Sequence, residues 1–164
     1  MHHSELLQDF LRFAETKQWH IQKNTENISI PEEIFQRYSL PESWLMFISY
    51  FSCCASPDEK FWFFTYQDYQ NQNAFAWNEA EQISLASAQN ETEMLNIRSF
   101  WNQHFPIAFH TDGFYAYYAI SLEDGSVISG CEPEFEDCEF IARSFQEFIL
   151  LLSSEELFHN EQYT

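Results

Sequence analysis

Residues 106–150, PIAFHTDGFYAYYAISLEDGSVISGCEPEFEDCEFIARSFQEFIL, constrain the fold more than any other part of the chain. The segment reads as strand, tight turn, strand, acidic loop, short strand and capped helix. Asp124-Gly125 marks a two-residue hairpin turn, because such a turn needs positive φ and glycine adopts it without a Cβ clash. Ser144-Phe145-Gln146-Glu147 is a capping box, serine at the cap and glutamate three residues on. It opens a last helix with Phe145, Phe148, Ile149 and Leu152 facing inward. No Lys or Arg lies between Arg98 and Arg143, while Asp and Glu crowd the loops. That combination describes an α+β domain presenting an anionic face.

The rest of the chain supplies helices and one strong strand. Ser4 caps a first helix running to about Lys17, with Leu6, Leu7, Phe10, Leu11 and Ala14 at helical spacing. Residues 19–30 are polar and mixed and read as an extended connection. Pro31-Glu32-Glu33 opens a second helix, proline in the first turn and acids at the positive end of the dipole, with Ile34, Phe35 and Tyr38 as its buried face. Pro41-Glu42 starts a third, in which Trp44, Leu45, Phe47, Ile48 and Phe51 form one apolar stripe. Ser56-Pro57-Asp58 is a turn, and residues 61–66, FWFFTY, are β-prone and suit a central strand. A weaker element lies around 74–77, a helix fits 91–104, and Pro106 ends the helical option. Residues 107–110, 114–122 and 127–129 read as strands. On 114–122 the more apolar face is expected inside, with Tyr115 and Tyr117 on the other. The tail from about Glu155 is polar.

At 164 residues, with 45% hydrophobic and 19% aromatic residues, the chain fits one domain spanning 1–164, and its 18 Phe must fill much of the interior. Three Gly and five Pro leave little material for linkers. The formal net charge is −19, from 26 Asp+Glu against 7 Lys+Arg. Phosphate backbones need cationic surfaces, so no nucleic-acid partner is expected. No apolar segment approaches the roughly 20 residues of a membrane span, and the surface charge opposes anionic lipid, so no membrane partner is expected either. A basic protein is the natural counterpart. MHHSELLQDF lacks a cationic stretch followed by an apolar run, which predicts a cytoplasmic location. Cys53 and Cys54 close an apolar, helix-like run; Cys131 and Cys138 flank the acidic loop at a spacing that matches no zinc signature. Reduced thiols are expected.

Pro41-Glu42-x-Trp44 with its following apolar helix, then PIAFHTDGFYAYYAI, the Asp-Gly hairpin, the GCEPEFED loop and the terminal SFQEFILLL occur in an order that resembles the SUKH superfamily. The resemblance covers about 30–152, leaving 1–29 as helix and connector and 155–164 as tail. It implies a mostly antiparallel central sheet flanked by helices, and a function in binding proteins rather than turning over substrate. The superfamily includes bacterial immunity proteins that neutralise polymorphic toxins, and regulators of the fungal Smi/Knr type. One departure stands out: many members carry an Asn-Gly-rich turn after the early helix, where this chain has Ser52-Cys53-Cys54-Ala55.

The leading candidate site is the acidic loop. Glu132, Glu134, Glu136, Asp137 and Glu139 are expected to steer and pair with a basic partner, and Phe135 to anchor it. Calcium wants six to eight oxygens around a glycine-bearing loop, and no such pattern occurs, so neither metal nor cofactor is expected. His110 and Asp112, with His104 upstream, have the chemistry of an acid–base pair, yet no nucleophile elbow, phosphate loop or HExxH helix accompanies them. No catalysis is expected. The aromatic run 61–66 lacks the cationic groove that base stacking usually requires, leaving core packing as its role. The expected function is that of an immunity protein occluding a basic toxin domain, with a regulatory or scaffold protein as the alternative and the oligomeric state open.

Overall fold

A chain with this much phenylalanine must bury rings on both sides of any sheet it makes, and the computed structural model shows how. It describes residues 3–26, 29–70 and 75–157. In chain order the elements are α1 (His3–Thr16), β1 (His20–Lys23), α2 (Glu32–Arg37), α3 (Glu42–Ile48), β2 (Phe51–Ala55), β3 (Phe61–Phe63) and α4 (Tyr66–Tyr69). There follow α5 (Glu79–Ser87), α6 (Glu91–Gln103), β4 (His104–Thr111), β5 (Tyr115–Ser121), β6 (Val127–Cys131), β7 (Glu139–Ala142) and α7 (Phe145–Ser153). All seven strands form one antiparallel sheet in sequential order, β1 to β7. The fold is α+β, with the sheet flanked by helices.

Strand alternation sorts the rings between two faces. On the first, Phe61 and Phe63 of β3 and Tyr118 of β5 meet Phe10 of α1, Phe47 of α3 and Phe148 of α7. On the second, Trp62 and Phe109 pack with Phe75, and Tyr117 packs under Trp101 of α6. The strand expected to have one buried face therefore has two: Tyr117, Tyr118, Ala119 and Ile120 are all buried. Of the tyrosine face, Tyr117 lies under α6, while Tyr115 is 39% exposed beside Phe75 and Phe109.

Local chemistry explains where elements begin and end. Leu6, Phe10 and Ala14 recur every fourth residue and are the buried stripe of α1. Pro31 and Pro41 sit at the N-cap of α2 and α3, one position before the first helical turn, where a missing N–H costs nothing. Ser144 caps α7 by accepting from the Glu147 N–H, while the Glu147 carboxylate reaches back to the Arg143 N–H instead of to the cap residue. Pro106 falls inside β4 at a register shift, where a residue without a backbone donor does least damage to the ladder. Its carbonyl accepts from the buried Tyr69 hydroxyl at 2.8 Å.

Several expectations are corrected. The helix opened by Pro41 stops at Ile48, and Phe51 and both vicinal cysteines belong to β2, because an apolar run of this kind carries no period that separates helix from buried strand. The connection at 19–30 contains β1, an exposed edge strand with almost no apolar alternation to announce it. The β5–β6 connection holds five residues, 122–126, rather than two, with the Gly125 N–H on the Ser121 carbonyl and the Ser121 N–H on the Ser126 carbonyl, each at 2.8 Å. Gly125 still takes positive φ, at 78°. Phe35 is 47% exposed, not buried. The FWF strand is followed by α4, whose Thr65–Asp68 capping box ends the β run. Of the element expected around 74–77, Ala74 lies outside the described residues and 75–77 form no regular element. Residues 158–164 of the tail also lie outside them.

Phe10 is enclosed by Trp19, Phe47, Phe51 and Phe63. Phe10→Ala is expected to cost about 3–5 kcal/mol in urea unfolding, the range for buried Phe→Ala changes. Phe35→Ala should cost less than about 1 kcal/mol. Similar costs for the two would contradict this placement of the core.

Candidate functional site

The acidic loop leaves β6 at Cys131 and enters β7 at Glu139, and it is tied down along its length. Glu132 continues the β5–β6 ladder: its N–H donates to the Tyr115 carbonyl at 2.9 Å, and its carboxylate accepts the Tyr115 N–H at 2.8 Å. The Glu132–Pro133 peptide is cis. Phe135 then turns inward and is 0% exposed, with its ring beside Tyr117. The Tyr117 hydroxyl donates to the Phe135 carbonyl. This crossing needs Gly130, since a Cβ there would lie 2.5 Å from the Phe135 oxygen and 2.7 Å from the Tyr117 hydroxyl. Burial pushes the Tyr117 phenol well above its ordinary range, with Cys138 and Glu136 adding to the shift, so it remains a donor.

Glu136 carries the second tie. One carboxylate oxygen accepts from the Trp101 indole N–H at 3.1 Å and from the Ser84 hydroxyl at 2.7 Å, joining the loop to α6 and α5. Arg37 of α2 braces the same pair of helices, donating to Asn102 at 2.9 Å and to Glu81 at 3.3 Å.

These contacts divide the six expected partner-binding residues. Glu134, Asp137 and Glu139 are exposed. Phe135 cannot anchor a partner, because its ring is spent on anchoring the loop to the sheet. Glu132 and Glu136 are half-buried and accept hydrogen bonds from their own chain. Phe140, next in sequence to Glu139 on the edge strand β7, is 62% exposed.

The first face of the sheet is covered only in part. Beyond the ends of α1 and α7 it opens into a cleft of about 940 Å³. Its floor is a cross-strand row fixed by the register: Phe61 opposite His110, His110 opposite Ala116, Ala116 opposite Cys131. Ala116 and Ser129 on this face are too small to fill it. Lys17, Trp19, Lys60 and Phe114 also line it, as do Asp137 and Glu139 at the end of the acidic loop.

The His–Asp pair is not assembled as an acid–base group with His104. Asp112 accepts from the Lys60 ammonium at 3.2 Å. His104 sits at the opposite end of β4, roughly 20 Å away at strand rise, stacked on Phe100 with Nδ1 at 2.7 Å from the Phe100 carbonyl. The four cysteines are free thiols; burial pushes Cys53, Cys54 and Cys138 above their ordinary values, which keeps them protonated at neutral pH. Among the described residues, no three His, Cys, Asp or Glu side chains are grouped to hold a metal. No helix among them is long and apolar enough to cross a membrane. Lys17, Trp19, Lys60 and Phe114 carry no sequence signal as cleft residues, because they come from separate segments that only the sheet brings together.

Compared with protein-family models, curated proteins and solved structures, the chain gives no significant match to any of them.

Removing the Glu136 carboxylate strands a buried indole donor, so Glu136→Ala should cost about 1–3 kcal/mol in urea unfolding. Glu136→Gln, which keeps an acceptor oxygen, should recover most of that. Glu134→Lys, Asp137→Lys and Glu139→Lys should each stay within about 0.5 kcal/mol of the parent. Equal losses at all four positions would mean that Glu136 has no special tie.

Proposed function

We propose that this chain is a non-catalytic protein-binding domain whose acidic face docks on a basic protein. Within that class we assign it the role of a cytoplasmic immunity protein that occludes a cognate toxin domain. The single observation that carries the reading is the division of the loop carboxylates. Glu132 and Glu136 are consumed in fixing the loop, and Glu134, Asp137 and Glu139 are left exposed on it. A loop whose backbone is already held in place loses less conformational entropy on docking. The net charge of −19 extends its field and favours fast encounter with a cationic partner. The toxin assignment rests on the ordered resemblance to the SUKH superfamily across about 30–152.

The test begins with the immobilised protein and lysate from its own source, applied at low salt and eluted with rising salt. The captured basic protein is then assayed with and without the chain. Loss of its activity on binding supports neutralisation; an unaltered activity within a larger assembly transfers the reading to a scaffold. For the pair so defined, the Glu134→Lys, Asp137→Lys, Glu139→Lys triple variant should slow association tenfold or more, within the roughly 10–10³ range of electrostatic steering. The difference should shrink as salt screens the field. An unchanged association rate would remove the acidic loop from the interface.

A further inference from the structure

We propose that the cleft at the open end of the sheet is a seat for an arginine side chain presented by a loop of the basic partner. The inference rests on the reading of this chain as a binder of basic proteins and names the subsite that such a partner would fill. At about 940 Å³ the cleft lies at the upper end of ligand-pocket volumes, roughly 300–1,000 Å³. It therefore has room for a segment of chain as well as one side chain.

Its charges select the occupant. Five carboxylates line it against two ammonium groups. Both ammonium groups are already engaged, Lys17 with Glu155 and Lys60 with Asp112, each at 3.2 Å. Asp58 is satisfied within its own turn by the Ser56 hydroxyl and the Lys60 N–H. That leaves Asp137 and Glu139, whose carboxylates bond no other side chain among the described residues. An anionic ligand would meet uncompensated carboxylates, and a neutral apolar one would leave them unpaired. A cation completes them.

The walls favour guanidinium over ammonium. Phe114, 51% exposed, and Trp19 both line the cleft. A planar guanidinium stacks on such a ring while its edge N–H groups still reach a carboxylate, which a compact ammonium does less well. The small side chains of Ala116 and Ser129 keep the floor low enough for the chain carrying the arginine to enter.

The probe is a capped pentapeptide, acetyl-Gly-Gly-Arg-Gly-Gly-amide, with citrulline in place of arginine as an isosteric neutral control. Two readouts follow it. Amide resonances of the isotope-labelled protein are titrated with each peptide, and alkylation of Cys131 by iodoacetamide is timed by mass spectrometry. Cys131 is exposed and lies on the cleft floor, so an occupant should shield it. The arginine peptide should give saturable shifts centred on Lys17, Trp19, His110 and Cys131 and should slow Cys131 alkylation several-fold. The citrulline peptide should bind at least about tenfold more weakly, as should the arginine peptide to an Asp137→Asn, Glu139→Gln variant, since both lose charge-assisted hydrogen bonds. Both substitutions are exposed and isosteric, and an unchanged spectrum outside the cleft verifies the variant's fold. Equal binding of the two peptides, or no saturable shift, overturns the proposal. If neither peptide binds while the intact partner still docks through the acidic loop, the cleft proposal fails and the proposed function stands.

Discussion

The burial of Phe135 beside Tyr117 is the interaction on which the rest of the site depends. It pulls the middle of an acidic loop onto the sheet, where the Tyr117 hydroxyl takes the Phe135 carbonyl and Glu136 takes the Trp101 indole. A loop dense in carboxylates would otherwise extend into water through its own repulsion. Once its centre is pinned, Glu134, Asp137 and Glu139 are displayed from a fixed frame. Gly130 is the complementary requirement, because any side chain there would occupy the space where the loop crosses.

That tie works only on a rigid sheet. The sequential seven-stranded order means each strand is joined to its neighbour by chain as well as by hydrogen bonds. Helices cover both faces of the central strands, so the phenylalanines interlock across the sheet rather than along one side. Where α1 and α7 end, the first face is left uncovered and the cleft begins. The cleft and the acidic loop are thus two products of the same geometry: one is the part of the sheet that no helix reaches, and the other is the connection that borders it.

Much of this architecture is legible in the residues, for reasons that are local. The Ser144 cap, the helix openings at Pro31 and Pro41, and the positive-φ glycine after Asp124 are all decided within a few residues. Elements decided by distant neighbours are less legible. β1 is an exposed edge strand and shows no alternation, and β2 is hidden in an apolar run that suits a helix equally well. The direction of Phe135 depends on Tyr117 and Gly130, which lie on other strands. Charge alone marks the loop as a candidate site, but it cannot tell Glu136, which holds the loop, from Glu134 and Asp137, which face water. The cleft has no sequence signal, since its lining comes from the end of α1, the β2–β3 turn, the β4–β5 loop and the β6–β7 loop.

A preorganised acidic face and a floppy acidic tail carry the same charge but differ in what docking costs, because a loop already ordered in the free protein has less entropy to lose. Backbone order parameters of residues 132–139, measured by NMR relaxation on the free protein, separate the two directly. Values near those of rigid backbone, about 0.85, are the expected result. Values below about 0.6 across Glu134, Phe135 and Glu136 would mean that the loop is not held by Tyr117 and Trp101. The account of a fixed carboxylate surface would then be wrong.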